Sequence, residues 1–111
     1  MANHTKTFAA DASLTQIAIA KKPRSEEKYL ADIQIAGGFG GGTVTLFVSL
    51  DGGTNKVAMR NLSGTAYSTT VADVVPVSLV GGGDNDEPVI IYATVANATT
   101  PTLTIIVGDN T

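Results

Sequence analysis

The stretch Thr43-Val-Thr-Leu-Phe-Val-Ser-Leu-Asp51 decides the fold of this chain. Apolar side chains occupy every second position of it: Val44, Leu46, Val48 and Leu50. A period of two places alternate side chains on one face of an extended backbone, so the stretch predicts a β-strand with one buried face. Helices bury residues three or four apart, and this stretch does not follow that spacing.

The residues that follow this strand predict its partner. Asp51-Gly-Gly-Thr54 is typical of a hairpin turn, because glycine adopts the positive φ angles that tight turns need. Lys56–Arg60 is then the returning strand, with Val57 and Met59 facing inward. The sheet is therefore expected to be antiparallel.

Two further strands precede this hairpin. Leu14–Ala20 is predicted as a strand in which Ile17 and Ile19 share one face, and Tyr29–Ala36 alternates in the same way. Between them Lys21–Lys28 holds a proline and no apolar residue, which is typical of an exposed loop.

The remaining strands follow the hairpin. Val74–Val80 alternates, and Pro76 in its middle indicates a sheet edge or a bulge, because proline cannot donate to a ladder. Val89–Val95 and Leu103–Val107 are predicted to pair with each other across the turn between them. Ser68–Asp73 is compatible with a loop, a helical turn or a strand.

Composition and length agree with a small β protein. The chain has 111 residues, 12 glycines, one histidine and no cysteine, so one domain without disulfides is expected. Short strands separated by Gly and Pro turns predict an all-β fold, an antiparallel, jelly-roll-like β-sandwich of seven to eight strands. Residues 1–12 are predicted to be an N-terminal arm and residues 13–111 a single β-sandwich domain.

Charge is distributed unevenly along the chain. The first 30 residues carry five basic and three acidic side chains, whereas no Lys or Arg follows Arg60. Such polarity either steers the basic segment toward an acidic neighbour or only keeps the surface solvated. The acidic pI of about 4.8 argues against nucleic-acid binding, and no apolar stretch is long enough for a signal peptide or a membrane span.

Three features suggest chemistry, and each has a simpler interpretation. Gly37–Gly42 is not followed by a helix or a nearby lysine, so we predict a loop or bulge rather than a phosphate cradle. Asp84–Glu87 matches only the opening of a calcium loop and is predicted to be a solvated acidic turn. His4 lies in a terminal segment and is interpreted as structural or incidental. We therefore expect no enzyme activity, no metal and no cofactor.

A second apolar set lies out of phase with the predicted core. It comprises Phe47, Ile90, Tyr92 and Ile106, which alternate with Leu46, Ile91 and Ile105. Each sheet of a sandwich has one inner face, so the second set is predicted to lie on an outer face or under a loop. A clustered apolar patch there marks an interaction surface. Two alternatives stay open: bulges shift the phase, or the N-terminal arm covers these residues.

With these features the chain resembles the capsid decoration proteins, also called staple or cement proteins, of tailed bacteriophages, in particular those of epsilon-fifteen-type short-tailed phages. The resemblance covers the whole length. It rests on the leading Met1–Phe8, the Gly37–Gly42 loop that runs into Thr43–Gly53, and the closing strands Val89–Val95 and Leu103–Val107.

The resemblance implies a virion structural protein on the outer capsid surface that bridges subunits of the major capsid protein. It also implies a jelly-roll-like subunit without catalytic residues. We expect a homodimer or higher homo-oligomer on the shell, with no nucleic-acid or membrane partner. The interface is predicted to involve Phe39, Phe47, Ile90, Tyr92, Ile106, Lys21, Lys22 and Arg24. A phage tail or baseplate accessory subunit and a carbohydrate-binding adhesin module remain alternatives.

Overall fold

The computed structural model describes residues 2–20, 29–60, 63–79 and 88–109, and in these ranges it contains nine strands and no helix. The strands are β1 (Ala2–Phe8), β2 (Ala12–Ala20), β3 (Tyr29–Gly38), β4 (Thr43–Ser49), β5 (Val57–Ala58), β6 (Ser68–Thr69), β7 (Asp73–Leu79), β8 (Val89–Ala96) and β9 (Thr102–Asp109). The predictions made for 21–28 and 84–87 lie outside the described residues.

The strands form two antiparallel sheets. One sheet has the order β1-β9-β3-β7 and the other the order β2-β8-β4-β5, with β6 also paired to β4. The long strands in chain order pass back and forth between the sheets, which is the connectivity of a jelly roll. The predicted all-β antiparallel sandwich is confirmed. It has nine described strands rather than seven or eight, because β1 forms in the predicted arm and β6 forms in the segment left open.

The core lies between the two sheets and is built by strict alternation in the central strands. Its members include Ile33 and Ile35 of β3, Val44 and Leu46 of β4, Ile91 and Val95 of β8, and Leu103, Ile105 and Val107 of β9. All of these side chains are almost completely buried. The prediction from period two is therefore confirmed wherever the strand is regular.

The prediction for β2 is wrong at one residue. Ile17 is 7% exposed and Ile19 is 48% exposed, so the two do not share a face. The register of β2 against β8 shifts between Gln16 and Ala18. A bulge inserts one residue into the ladder, which turns the side chains beyond it to the opposite face.

The predicted hairpin after β4 exists, but its returning strand is short. Val48 lies opposite Val57, and β5 ends at Ala58. Val57 lies opposite Val48 and so is on the inward side of the sheet, as predicted, but it is 58% exposed, whereas Met59 packs against the core. Val57 stays exposed because β5 is the last strand of its sheet path and two residues long.

The predicted pairing of β8 with β9 is also wrong. β8 lies inside one sheet and β9 inside the other. The connection between them crosses from sheet to sheet and contains Asn97 and Thr100 at positive φ. The Gly37–Gly42 loop packs against this connection so closely that a Cβ at Gly40 would lie 2.2 Å from the Thr99 carbonyl oxygen. Gly40 thus allows the backbones of the loop and the connection to approach each other closely, and the segment forms a loop as predicted.

The N-terminal segment adds an edge strand to the sandwich. Ala2–Phe8, which the sequence assigns to an arm, forms β1 and pairs with β9 from Ala2 opposite Asp109 to Phe8 opposite Leu103. Its inward phase ends in the buried Phe8 but carries His4 and Lys6 in the middle, so no regular apolar alternation marks it as a strand. At the other edge of this sheet β7 contains Pro76, which confirms the edge prediction.

Candidate functional site

The outer face of the sheet β2-β8-β4-β5 carries four apolar side chains, which we call the outer strip: Ile19, Phe47, Ile90 and Tyr92. Phe47 lies opposite Tyr92, and Ile19 lies opposite Ile90. Ile90 and Tyr92 are buried although they do not belong to the core between the sheets. Phe47 is half-buried and Ile19 is exposed. The strip therefore has a covered part and an accessible part.

The loop between β4 and β5 covers Ile90 and Tyr92. A Cβ at Gly53 would lie 2.9 Å from the Tyr92 hydroxyl oxygen and 3.5 Å from Ile90 Cδ1. The Lys56 ammonium stands 5.3 Å from the centre of the Tyr92 ring, a cation–π distance, and donates to the Gly53 carbonyl oxygen at 2.8 Å. Ile90 and Tyr92 therefore lie under a loop, which is one of the two placements that the sequence predicts for them.

Asp51 holds this loop in shape. Its Oδ1 accepts from the Asn55 backbone N–H at 2.9 Å and from the Ser49 hydroxyl at 2.7 Å, and its Oδ2 accepts from Asn55 Nδ2 at 2.7 Å. These donors, the Asn55 backbone N–H first, favour the charged carboxylate and lower the pKa of Asp51 to about 2. The cover over the outer strip is thus a hydrogen-bonded structure of its own.

The outer face of the opposite sheet carries a second group of apolar residues, which we call the opposite patch: Leu30, Val74, Pro76 and Ile106. Ile106 and Val74 lie on either side of Gln34 in one cross-strand row. Leu30 is 45% exposed and Val74 is 59% exposed. Leu30 and Pro76 line an open depression of about 530 Å³ together with Asp32, Ser78 and Gly108. The predicted apolar set is thus divided, since Ile106 lies on the sheet opposite Phe47 and Tyr92.

Of the other predicted interface residues only Phe39 is described, and it is on neither outer face. Phe39 is buried in the core between the sheets, so its ring is not presented to a partner. Lys21, Lys22 and Arg24 lie outside the described residues. The opposite patch could not be predicted from the sequence, because only the pairing of β3 with β7 places Leu30 and Val74 on the same outer face.

A buried polar cluster joins three distant parts of the chain. The Asp109 carboxylate is completely buried and its Oδ2 accepts from the Tyr29 hydroxyl at 2.8 Å. The same oxygen lies 3.0 Å from His4 Nε2 on β1. Burial raises the pKa of Tyr29 above its ordinary range, and the hydrogen bond to Asp109 raises it further. His4 therefore has a structural role, which is one of the two interpretations that its position in the sequence allows.

The aromatic side chains are buried or half-buried rather than exposed. All six lie in the described part of the chain: Phe8, Tyr29, Phe39 and Tyr92 are buried, and Phe47 and Tyr67 are half-buried. The Tyr67 hydroxyl donates to Asp73 Oδ2 at 2.7 Å; partial burial and then this bond raise the pKa of Tyr67 to about 12. A sugar-binding module presents exposed rings around a groove, and this arrangement does not favour that alternative.

Across ranges 2–20, 29–60, 63–79 and 88–109, no group of three or more His, Asp or Glu side chains is placed to hold a metal ion. Within the same ranges, no helix is long and apolar enough to cross a membrane. Comparisons of the chain with protein-family models, with curated proteins and with solved structures find no match. The described residues thus form a β-sandwich that carries apolar side chains on each of its two outer faces.

Proposed function

We propose that this chain is a virion structural protein that decorates the outside of an icosahedral phage head and staples neighbouring subunits of the major capsid protein. The proposal rests on the resemblance of the whole sequence to phage decoration proteins and on one structural observation. Apolar side chains lie on both outer faces of the sandwich, the outer strip on one sheet and the opposite patch on the other.

Two opposite apolar faces suit a bridging role. A monomer that only folds needs one apolar face per sheet, turned toward the core, and polar residues outside. Here Ile19 on one side and Leu30 and Val74 on the other remain exposed. The molecule extends over 42 × 27 × 23 Å, so one subunit reaches partners on both of its sides. Weak contacts of this kind are multiplied when the shell repeats them many times.

Shell binding is tested by co-sedimentation of the purified chain with expanded heads that lack it. The variant Val74→Glu places a charge on the opposite patch and is expected to weaken binding about tenfold, the equivalent of about 1.4 kcal/mol of lost apolar contact. Ile19→Glu is expected to do the same from the other face. Both side chains are largely solvent-exposed, so the fold should be retained.

Val57→Glu is the matched control. Val57 is 58% exposed against 59% for Val74 and also lies on an edge strand, but it belongs to neither patch. We expect Val57→Glu to bind shells as the unaltered chain does. Absence of the unaltered chain from the shell pellet would refute the proposal. Equal binding by all three variants would refute the assignment of the two patches.

A further inference from the structure

The edges of the two sheets differ in how they are protected against pairing with another chain. Among the described strands, β1 and β7 end one sheet, while β2 and the short β5 and β6 end the other. An edge strand presents unpaired N–H and C=O groups to any strand that can reach them. Natural sandwiches block these groups with prolines, bulges, charges or very short strands.

The edge of β7 is blocked at two positions. The Val74 N–H donates to Asp73 Oδ1 at 2.8 Å, so this N–H points away from the ladder with β3. N–H groups two residues apart in a strand point to the same side, which places the nitrogen of Pro76 on the same free edge. Proline has no N–H to offer there. A strand added to β7 would lose both hydrogen bonds.

The other sheet is protected by irregularity. The register of β2 shifts twice, between Ala12 and Thr15 and between Gln16 and Ala18, and a bulged edge does not match a regular partner strand. On the far side β5 and β6 have two residues each. Neither edge offers a long regular ladder.

The edge of β1 has no proline, no bulge and no shortening, and Lys6 is its one Lys, Arg, Asp or Glu side chain. Its seven residues pair with β9 in one unbroken register, and they include no proline or glycine. Asn3, Thr5, Lys6 and Thr7 are all exposed. We propose that β1 is a dimerisation edge, at which β1 of a second copy pairs antiparallel and joins two four-stranded sheets into one of eight strands.

The sequence of β1 is self-complementary in one register. If the two-fold axis passes through Thr5, Thr5 lies opposite Thr5 of the second copy and Asn3 lies opposite Thr7, so side chains that hydrogen bond face each other. Lys6 then lies opposite His4, whose hydrogen-bond partner is the Asp109 carboxylate. A register centred on Lys6 would set two ammonium groups against each other. Lys6 thus disfavours that register relative to the one centred on Thr5.

The proposal is tested by charge exchange at the two-fold axis. Because Thr5 faces itself, Thr5→Lys alone and Thr5→Glu alone each place like charges opposite one another. Each is expected to raise the dimer Kd, measured by sedimentation velocity, about fivefold. An equimolar mixture of the two variants sets opposite charges together and should dimerise at least as tightly as the unaltered chain. Ser78→Lys and Ser78→Glu, on the exposed edge strand β7, are matched controls that leave the Kd unchanged.

Hydrogen exchange of the unaltered chain gives a second measurement that needs no variant. Alternate amides of β1, those turned away from β9, should exchange quickly in dilute solution and become protected as concentration rises. A chain that stays monomeric at millimolar concentration would overturn the proposal. So would a dimer that both Thr5 variants form as tightly as the unaltered chain, or one whose alternate β1 amides stay unprotected. Since these measurements use the isolated chain, they do not depend on shell binding.

Discussion

Tyr29→Phe is the substitution that isolates the buried polar cluster. It removes one hydroxyl from a ring that is completely buried and leaves the apolar packing of that ring in place. The hydroxyl donates at 2.8 Å to Asp109, and hydrogen bonds to a charged group contribute about 1.5–3 kcal/mol when they are buried. We expect the free energy of unfolding at pH 7 to fall by about that amount.

The pH dependence of this effect has a defined sign. Burial raises the pKa of folded Tyr29 above the value near 10 that it has in the unfolded chain. A raised pKa contributes stability that is fully present below pH 10 and is lost as the pH rises further, since the unfolded chain then releases the proton. The gap between the unaltered chain and Tyr29→Phe should therefore narrow by at most about 1.4 kcal/mol at pH 11, because this pH is one unit above the pKa of the unfolded chain.

Urea unfolding followed by circular dichroism at pH 7 and pH 11 measures both effects. Tyr67→Phe is the control at pH 7, because the hydroxyl of this half-buried ring also donates to a carboxylate, at 2.7 Å, in a solvent-exposed hydrogen bond that contributes less than about 1 kcal/mol. A Tyr29→Phe variant within about 0.5 kcal/mol of the unaltered chain at both pH values would show that Asp109 does not depend on this hydroxyl.

Two further predictions concern the loops. Gly40→Ala should lower the melting temperature more than Gly41→Ala, because both glycines have positive φ but only the Cβ at Gly40 meets a backbone oxygen, that of Thr99; equal losses would contradict this. The Asn55 amide proton shift should titrate with a midpoint of about 2, where Asp51 takes up its proton and the loop hydrogen bonds weaken; a midpoint near 3.8 would contradict the bonding of Asp51.

Regular alternation determined the fold class from the sequence alone. In β3 and β9 every second residue enters the core, and the pattern that predicts a strand also predicts which side chains are buried. This works because strand periodicity is a local property of the backbone. The edge position of β7, indicated by Pro76, and the hairpin after β4 could be predicted for the same reason, since each depends on a few neighbouring residues.

The pairing of distant strands was decided by the tertiary structure. β8 and β9 are neighbours in sequence and were predicted to pair, yet each lies inside a different sheet because the jelly roll sends successive strands to opposite layers. A one-residue bulge in β2 reversed the exposure of Ile19. Neither a sheet assignment nor a bulge leaves a mark in the periodicity of a single strand.

The candidate surfaces divide in the same way. The sequence determined that Phe47, Ile90 and Tyr92 are out of phase with the core, because phase along a strand is local. Only the folded chain placed the Asp51 loop over two of them and moved Ile106 to the opposite sheet. Only the folded chain brought His4 to Asp109, 105 residues away, because a contact between segments so far apart is set by sheet order.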